Sequence, residues 1–393
     1  MQKPRIALFT GNYIHIRDGV SNTLNRLVGY LGVKGYEVLV FGPGCPEPAI
    51  RHEGKFIPVY SIPAPFRPEY RIALGFTAPE RQILREFDPD IIHIATPDML
   101  GWKALRYAIK HDIPVVSSYH THFSSYLKYY RLGLLEPLLW RYLFWFYRKC
   151  EQLYVPSPSM MEDLRRMKVE SELKLWTRGV DTSLFSPDQR DPEWRLSLGF
   201  KAENVVVTFI SRLVWEKNLE AVVSIFSRLR NINPLIRTLI VGEGPAQKEL
   251  SQRLPETVFT GYLSGQVLAR AYASSDLFFF PSETEAFGNV TLEAMSSGLP
   301  AVVADANGSR SLVTQGENGF IAGATDNEAL LSGILKIAED RDLRGRMSRL
   351  SREKAGLYDW DRVMDSIISC YQEVYNRKKE SNHPDSILPE TAM

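Results

Sequence analysis

The stretch ETEAFGNVTLEAMSSGLP, residues 283–300, places two glutamates on either side of Phe287-Gly288-Asn289 and ends in small residues. On one helix, Glu285 and Glu293 would lie about 80° apart around the axis and would serve one ligand poorly. The spacing is better explained if Glu285 lies in a loop, a helix begins near Gly288, and Glu293 falls in its second turn. Free N–H groups at such a helix start, with no side chain at Gly288, predict an anion site.

A pair of cations follows the apolar stretch NVVVTFISR, where Arg212 and Lys217 occupy ISRLVWEKNLE (210–220). Basic residues after a strand commonly face solvent, and acids are favoured at any helix start. At the carboxyl end of a strand, however, they would neutralise a phosphate ligand. Together with the helix start at Gly288, they predict a diphosphate site.

Short apolar runs alternate with helical patterns along the chain, and the pattern occurs twice. The strand candidates are RIALFT, EVLVFGP, DIIHIAT, IPVVSSY and QLYVPSP, then NVVVTFISR, RTLIVGEGP, VFTGY, DLFFFPS and PAVVAD. Such alternation predicts parallel sheets with helices on both faces. The predicted fold class is α/β, with two Rossmann-like doubly wound domains facing across a cleft.

The length of 393 residues also indicates two domains. The polar, Pro-containing stretch 186–199 predicts the boundary, giving domains 1–185 and 186–357. A helix at about 358–377 is predicted to return to the first domain. The polar tail 378–393 is predicted to be disordered.

Composition excludes several classes of protein. A net charge of +1 disfavours a nucleic-acid binder. Cys45, Cys150 and Cys370 have no metal-like spacing, which fits a reducing cytosol. The first apolar stretch is too short for a signal peptide, and no run is long enough to span a membrane. We therefore expect a cytoplasmic protein that can still contact the inner face of the membrane.

Two motifs resemble cofactor or metal sites but lack a required part. VGEGPAQ has no third glycine, which disfavours a nicotinamide cofactor. The Asp-Pro-Asp at 88–90 precedes the strand candidate IIHIA, at the end away from the expected cleft. We predict a strand-entry turn there, no essential metal and no bound cofactor.

The segments SRLVWEKN, VGEGP, ETEAFGNVTLEAMSSGLP and WTRGVDTSLFSP together resemble the motif set of the family 4 retaining glycosyltransferases, which have the GT-B fold. The resemblance spans nearly the whole chain. It implies that the second domain binds a nucleoside-diphosphate sugar. The residues implied to bind this donor are Arg212 and Lys217 for the diphosphate, Glu293 for the ribose, Glu285 with the backbone of Phe287, Gly288 and Asn289 for the sugar, and the backbone near Leu263 for the base.

The first domain contributes two further positions by resemblance. His120, in SSYHTHF, matches the family histidine that faces the donor sugar near the β-phosphate, although a lone histidine after a strand is commonly a packing residue. His122 would point to the other side of an extended chain, so a two-histidine metal site is not expected. Gly19 matches a small residue where backbone approaches the diphosphate. Asp18 departs from the family pattern and could orient an acceptor hydroxyl or cap a helix.

The implied catalytic residues are thus His120, Arg212, Lys217 and Glu285. The implied reaction is retaining transfer of a hexose or hexuronate from GDP-mannose or a UDP-sugar to a lipid or glycolipid hydroxyl. The sequence most resembles the branch with lipid-directed mannosyl-, glucuronosyl- and sulfoquinovosyltransferases. The alternatives are a soluble or exopolysaccharide acceptor, or a non-catalytic sugar-nucleotide-binding protein.

Residues 123–149 interleave aromatic and basic side chains, with Glu136 as the single acid. One interpretation is a helix pair packed on the first sheet with basic residues extending to water. The other is a surface in contact with anionic lipid. The two interpretations are compatible, because only part of the segment need face lipid.

Overall fold

The computed structural model describes residues 2–16, 19–64, 67–119, 136–283 and 287–382. The chain divides into two compact units. Unit 1 comprises Met1–Pro156, Met160–Trp176 and Met364–Met393, and unit 2 comprises Ser157–Ser159 and Thr177–Val363. Both are α/β units built on a parallel sheet, which confirms the predicted fold class.

Unit 1 is built around a seven-stranded parallel sheet. Its strands are β1 (Ile6–Phe9), β2 (Val38–Pro43), β3 (Lys55–Val59), β6 (Ile91–Ile94), β7 (Val115–Ser118), β8 (Gln152–Val155) and β9 (Glu172–Leu175), in the order β3-β2-β1-β6-β7-β8-β9. A separate antiparallel hairpin pairs β4 (Ser61–Ala64) with β5 (Arg67–Ala73). All four residues of β1, β6, β7 and β8 are buried, as expected for strands covered on both faces.

The helices of unit 1 connect these strands and bury apolar faces on the sheet. They are α1 (Gly19–Val33), α2 (Ala78–Phe87), α3 (Met99–His111), α4 (Glu136–Tyr147) and α5 (Pro158–Arg166). Asp98 begins α3 by accepting a hydrogen bond from the Gly101 N–H group at 2.9 Å. In α4, Leu143, Phe146 and Tyr147 enter the core. The rest of the aromatic and basic segment, 123–135, lies outside the described residues.

Unit 2 contains a six-stranded parallel sheet in the order β12-β11-β10-β13-β14-β15. Its strands are β10 (Val205–Ile210), β11 (Ile236–Val241), β12 (Val258–Phe259), β13 (Leu277–Phe280), β14 (Ala301–Ala304) and β15 (Gly319–Ala322). Its helices are α6 (Pro192–Ser197), α7 (Leu219–Ile232), α8 (Gln247–Arg253), α9 (Gly265–Ala273), α10 (Asn289–Ser296), α11 (Asn307–Leu312), α12 (Asn327–Glu339) and α13 (Arg341–Ala355). The last helix, α14 (Trp360–Asn382), belongs to unit 1 from Met364 onward.

The division between the units falls at residue 177, before the predicted boundary at 186. The reason is packing, since Val180 and Phe185 are buried in the core of unit 2. The Val180 N–H group also donates to the Tyr358 carbonyl at 2.9 Å. The polarity of 186–199 therefore reflects surface position within unit 2, which extends to Val363.

The predicted disorder of 378–393 is wrong for its first five residues. Helix α14 continues to Asn382, because charged side chains anchor its last turns to unit 1. Lys378 pairs with Asp112 at 2.6 Å, and Lys379 donates to the Gln2 side chain at 2.7 Å. Residues 383–393 lie outside the described part of the chain.

A buried histidine joins α14 to the sheet of unit 1. The two ring nitrogens of His93 are hydrogen-bonded, Nδ1 with the Tyr371 hydroxyl at 2.6 Å and Nε2 with the Ser118 hydroxyl at 2.5 Å. The ring also contacts Tyr154 and Trp176. Complete burial lowers the pKa of His93 to about 3, so the ring is neutral at physiological pH.

None of the helices within the described ranges combines the length and the apolar character that a bilayer crossing needs.

We predict that His93 makes the stability of unit 1 pH-dependent. Its pKa is about 3 in the fold and about 6.5 in the unfolded chain, so between these values the unfolded chain binds the extra proton. The contribution of neutral His93 to the free energy of unfolding is then fully present above pH 6.5. It falls by up to about 1.4 kcal/mol per pH unit as the pH decreases through this window. Thermal unfolding of the wild type should show this slope. His93→Gln should have a lower Tm than the wild type at pH 7, but its Tm should decrease less as the pH is lowered. Identical dependence of Tm on pH in the two proteins would contradict the prediction.

Candidate functional site

The order of strands in unit 2 places two chain segments side by side at the carboxyl ends of neighbouring central strands. Strand β10 lies between β11 and β13, and the connections lead to opposite sides from this point. The segment after β10 carries Arg212 and Lys217, and the segment after β13 leads to Gly288. Doubly wound sheets bind ligands at this kind of switch point. The structure therefore brings the predicted cations and the predicted helix start to adjacent strand ends.

Asn218 links these two segments. It adopts a left-handed conformation, with φ of 55°, between the short 3₁₀ helix Trp215–Lys217 and α7. Its side-chain amide donates to the Pro281 carbonyl at 3.1 Å and to the Ala324 carbonyl at 2.9 Å. Asn is one of the few residues that tolerate this conformation, so one residue satisfies both the turn and the link. No motif in the sequence indicates this role of Asn218, although the residue directly follows Lys217.

The two predicted cations differ in their surroundings. Lys217 is buried, with 8% of its surface exposed, at the end of the 3₁₀ helix. The Arg212 side chain is 76% exposed and lies 3.3 Å from Glu216. An exposed pair of this kind stabilises the fold little, so the Arg212 guanidinium can move to a ligand at small cost. Lys217 is held in place by its burial.

The segment after β13 ends in a tight turn that begins α10. Gly288 has φ of 91°, and the first helical bond runs from the Leu292 N–H group to the Gly288 carbonyl at 3.0 Å. The Phe287 ring is buried and packs edge-on against Tyr358, at 5.9 Å between ring centres. Asn289 is exposed at the first helical position. The amides that precede the first helical bond lie at this helix start, where the sequence predicts an anion site.

A second glycine packs against this turn from α11. A Cβ atom at Gly308 would lie 2.6 Å from the Phe287 carbonyl carbon and 2.9 Å from the Gly288 nitrogen. Real Cβ atoms do not approach backbone so closely, so Gly308 sets the position of the turn. This role of Gly308 is not evident from the local sequence, because the backbone that it contacts lies about twenty residues earlier in the chain.

Glu293 follows in the second turn of α10, as predicted. One carboxylate oxygen accepts a hydrogen bond from the Tyr272 hydroxyl at 3.1 Å. The Tyr272 ring is fully buried against Phe185 and Phe278. Burial raises the pKa of Glu293 to about 7, and the bond from Tyr272 acts in the opposite direction. Glu293 is thus poised between its charged and neutral forms near physiological pH.

The glycines of VGEGP allow three strand ends to meet. The Gly242 N–H group donates to the Gly261 carbonyl at 2.8 Å, and the Leu213 N–H group donates to the Glu243 carbonyl at 2.9 Å. A Cβ at Gly242 or Gly244 would overlap the backbone of the segment after β10. The Glu243 carboxylate also accepts from the Tyr262 N–H group at 3.2 Å. Leu263, the residue predicted near the base, follows directly and packs partly on the core.

Several predicted positions lie outside the described residues: Asp18, His120, His122 and Glu285. Gly19, which is described, is the first residue of α1. A Cβ at Gly19 would meet none of the described residues within 4 Å. In unit 1 the corresponding switch point lies between β1 and β6, where the Gly11 N–H group donates to the Thr96 hydroxyl at 2.7 Å.

The Asp-Pro-Asp element is a strand-entry turn, as predicted. Asp90 accepts the Arg5 backbone N–H group at 2.7 Å, and Asp88 pairs with the Arg5 guanidinium at 2.8 Å, immediately before β6. Within the described ranges, no group of three or more His, Cys, Asp and Glu side chains is arranged to hold a metal ion.

Comparison with known proteins matches both halves of the chain to glycosyltransferase families. The model for Glycosyltransferase Family 4 matches residues 17–184, and the model for Glycosyl transferases group 1 matches residues 190–354. The structure of sucrose-phosphate synthase from Thermosynechococcus elongatus is similar with a TM-score of 0.73 and 19% identity, covering 95% of this chain and 100% of that one. This likeness confirms the GT-B fold.

Three curated relatives are similar over most of the sequence. The sulfoquinovosyl transferase SQD2 of Arabidopsis thaliana is 32% identical over 92% of this chain and 72% of its own length. A GDP-mannose-dependent alpha-mannosyltransferase of Mycolicibacterium smegmatis is 32% identical over 95% of this chain and 98% of its own. An alpha-monoglucosyldiacylglycerol synthase of Streptococcus pneumoniae is 26% identical over 76% of this chain and 70% of its own length.

We predict that Gly308→Ala weakens nucleotide binding by displacing the turn at Gly288. Overpacking of this kind costs about 1–3 kcal/mol, which we expect to appear mainly as lost affinity in calorimetric titration. Gly345→Ala is the matched control, because its new Cβ would meet nothing within 4 Å in the helix α13. The control should keep wild-type affinity and gain up to about 1 kcal/mol of stability. Wild-type affinity in Gly308→Ala would contradict the assigned position of the binding turn.

We predict a pH dependence of donor affinity that Glu293 controls. A carboxylate accepts hydrogen bonds from ribose hydroxyls better than a carboxylic acid, so affinity should fall as the pH decreases through about 7. Nucleotide-sugars should be used, since their diphosphate diester does not titrate in this range. Tyr272→Phe removes the hydrogen bond that stabilises the Glu293 carboxylate and should raise the pH midpoint of the change in donor affinity. Glu293→Gln should abolish the pH dependence of donor affinity. A pH profile unchanged in Glu293→Gln would exclude this role.

Proposed function

Since this chain belongs to glycosyltransferase family 4, we propose that it transfers a hexosyl or hexuronosyl group from a nucleoside-diphosphate sugar to a hydroxyl of a membrane lipid or glycolipid, with retention of anomeric configuration. The observation that carries the proposal is the link from Asn218 to Pro281. It fixes the segment carrying Lys217 to the segment that opens α10. A buried cation and a helix start are thereby held at the same edge of the sheet.

The proposed chemistry requires stabilisation of the leaving group more than acid-base catalysis. As the sugar–phosphate bond breaks, negative charge grows on the β-phosphate. Lys217 and Arg212 would meet that charge together with the amides at the start of α10. Two side-chain cations take the place of a divalent metal in this scheme, so we propose that activity needs no metal and survives chelation by EDTA.

Retention follows if the acceptor attacks from the face that the phosphate leaves. The departing phosphate oxygen would accept the acceptor proton, and no covalent carboxylate intermediate forms. Glu285 would hold the donor sugar and His120 would face it, as the family resemblance implies. Glu293 would hold the ribose, for which its position in α10 and its partly ionised carboxylate are suitable.

The lipid acceptor is supported by the names of the relatives. One of them is named for the synthesis of a glucosyldiacylglycerol, which is a lipid. The donor could be GDP-mannose, as named for the mycobacterial relative, or a UDP-sugar. A thermal-shift panel of GDP- and UDP-sugars would identify the nucleotide, because a ligand that binds the folded state raises Tm with its affinity and concentration.

Release of nucleoside diphosphate from the identified donor then tests catalysis. Release that depends on a diacylglycerol or glycolipid acceptor would support the proposal. Release only with soluble glycans would move the acceptor to the alternative class. Binding without release in the presence of any acceptor would indicate a non-catalytic sugar-nucleotide-binding protein and overturn the proposal.

We predict that Lys217→Ala lowers kcat by about a hundredfold or more, the usual effect of removing one donor that stabilises transition-state charge. Because Lys217 is buried, the isosteric Lys217→Met should be made as well, and the Tm of both variants recorded. Lys248→Ala, which removes an exposed lysine of α8, is the control and should keep wild-type turnover. Turnover retained in a folded Lys217 variant would remove the proposed account of leaving-group stabilisation.

A further inference from the structure

A basic groove lies on the helical surface of unit 1, between α2, α3 and α4. It has a volume of about 820 Å³ and runs along most of α3, from Trp102 to the helix end at His111, with side chains of α2 and Trp145 of α4 also lining it. Helices of a doubly wound unit run opposite to its strands, so the groove extends from the first turn of α3 toward the amino ends of the strands. Ligands of such sheets bind at the carboxyl ends, and the groove is therefore separate from the switch point of unit 1.

The groove concentrates positive charge in a chain whose net charge is only +1. Its basic residues are Arg81, Arg85, Lys103, Arg106, Lys110 and His111, and no acidic residue is among the described residues that line it. Such a concentration repels itself unless an anion is bound.

Four of these cations are exposed and have no acidic partner within 4.0 Å among the described residues: Arg81, Arg85, Arg106 and Lys110. Arg81 and Arg85 of α2 line the groove together with Tyr107 of α3. Burial raises the pKa of Tyr107, whereas Arg85 and Arg81 act to lower it and Asp88 acts to raise it. The nearby carboxylate of Asp88 is already paired with Arg5 at 2.8 Å. The groove is thus an uncompensated cation cluster.

Apolar side chains surround the cations and face solvent. Arg106 lies over the Trp102 ring, at 5.0 Å from its centre. Ile109 on α3 is 55% exposed, and Trp145 and Leu138, two turns apart on α4, are 42% and 65% exposed. Tryptophan beside basic residues is the composition that favours the boundary between lipid headgroups and acyl chains. A site for a soluble anion would need the cations but not the exposed apolar side chains.

We propose that this groove binds the phosphate of an anionic phospholipid, with Trp145, Ile109 and Leu138 entering the surface of the same membrane. The inference goes beyond the proposed transfer reaction, because the groove is distinct from the donor site and its occupancy needs no substrate. Charge complementarity selects an anionic headgroup, and the apolar rim selects a bilayer over a free phosphate.

Vesicle flotation with the full chain tests the proposal without any donor or acceptor. The protein should float with vesicles of phosphatidylcholine mixed with phosphatidylglycerol, and not with phosphatidylcholine alone. Each basic group near an anionic surface contributes about a fivefold factor to binding, so Arg81→Gln/Arg85→Gln should bind roughly ten- to thirtyfold more weakly. Arg346→Gln/Arg349→Gln, which removes two exposed arginines from α13 in unit 2, is the matched control and should float like the wild type.

Trp145→Ala tests the apolar part and should also weaken flotation, with Leu196→Ala, at an exposed leucine of α6 in unit 2, as its control. Unchanged flotation of Arg81→Gln/Arg85→Gln would overturn the proposal. So would loss of wild-type flotation in millimolar inorganic phosphate at matched ionic strength, which would indicate a site for a soluble anion. Nucleotide binding measured on the same variants should stay at the wild-type level, so failure here is distinguishable from failure of the proposed transfer reaction.

Discussion

The hydrogen bonds of the Asn218 amide are the constraint on which the organisation of unit 2 at the carboxyl ends of its strands depends. A parallel sheet aligns strand ends but does not fix the segments that leave them. Asn218 joins three of these segments, because its own backbone follows β10 while its side chain binds carbonyls that follow β13 and β15. Its left-handed backbone also turns the chain directly into α7. Lys217 is thereby fixed relative to the segment that leads to α10.

Close backbone approach completes what Asn218 begins. Gly242 and Gly244 let the end of β11 contact the segment after β10, and Gly308 lets α11 contact the turn at Gly288. Each of these contacts excludes even a methyl group, so at these points the strand ends are shaped by contacts between backbone atoms. Backbone groups positioned by such packing can serve as hydrogen-bond donors without the entropy cost of ordering long side chains. The fixed elements are therefore amides and Lys217, and the movable element is Arg212.

The sequence predicts the elements of this fold better than their limits. Strands such as Leu277–Phe280 are uniformly apolar and cannot be mistaken, and α10 begins one residue after Gly288, as expected. The boundary near 177 and the extension of α14 depend on contacts of Val180 and Lys378 with distant residues, which no local pattern contains. Gly308 and Asn218 escaped prediction for the same reason, since each acts on backbone far along the chain. Motif spacing predicts which residues would face a ligand, whereas the residues that hold those segments in place depend on tertiary packing.

Two buried titratable groups, His93 in unit 1 and Glu293 in unit 2, differ in how many of their polar atoms are hydrogen-bonded within the fold. His93 in unit 1 has hydrogen bonds at both ring nitrogens, and its neutral form is fully satisfied. Glu293 in unit 2 accepts one hydrogen bond from the described residues, donated by the Tyr272 hydroxyl, although a carboxylate can accept about four. Its raised pKa means that the folded, ligand-free unit binds a proton more tightly than the unfolded chain, so ionisation of Glu293 destabilises the fold as the pH rises from about 4.5 to about 7. A structural role would favour a satisfied group such as His93. The unmet acceptors of Glu293 are instead what a ligand with adjacent hydroxyls would fill.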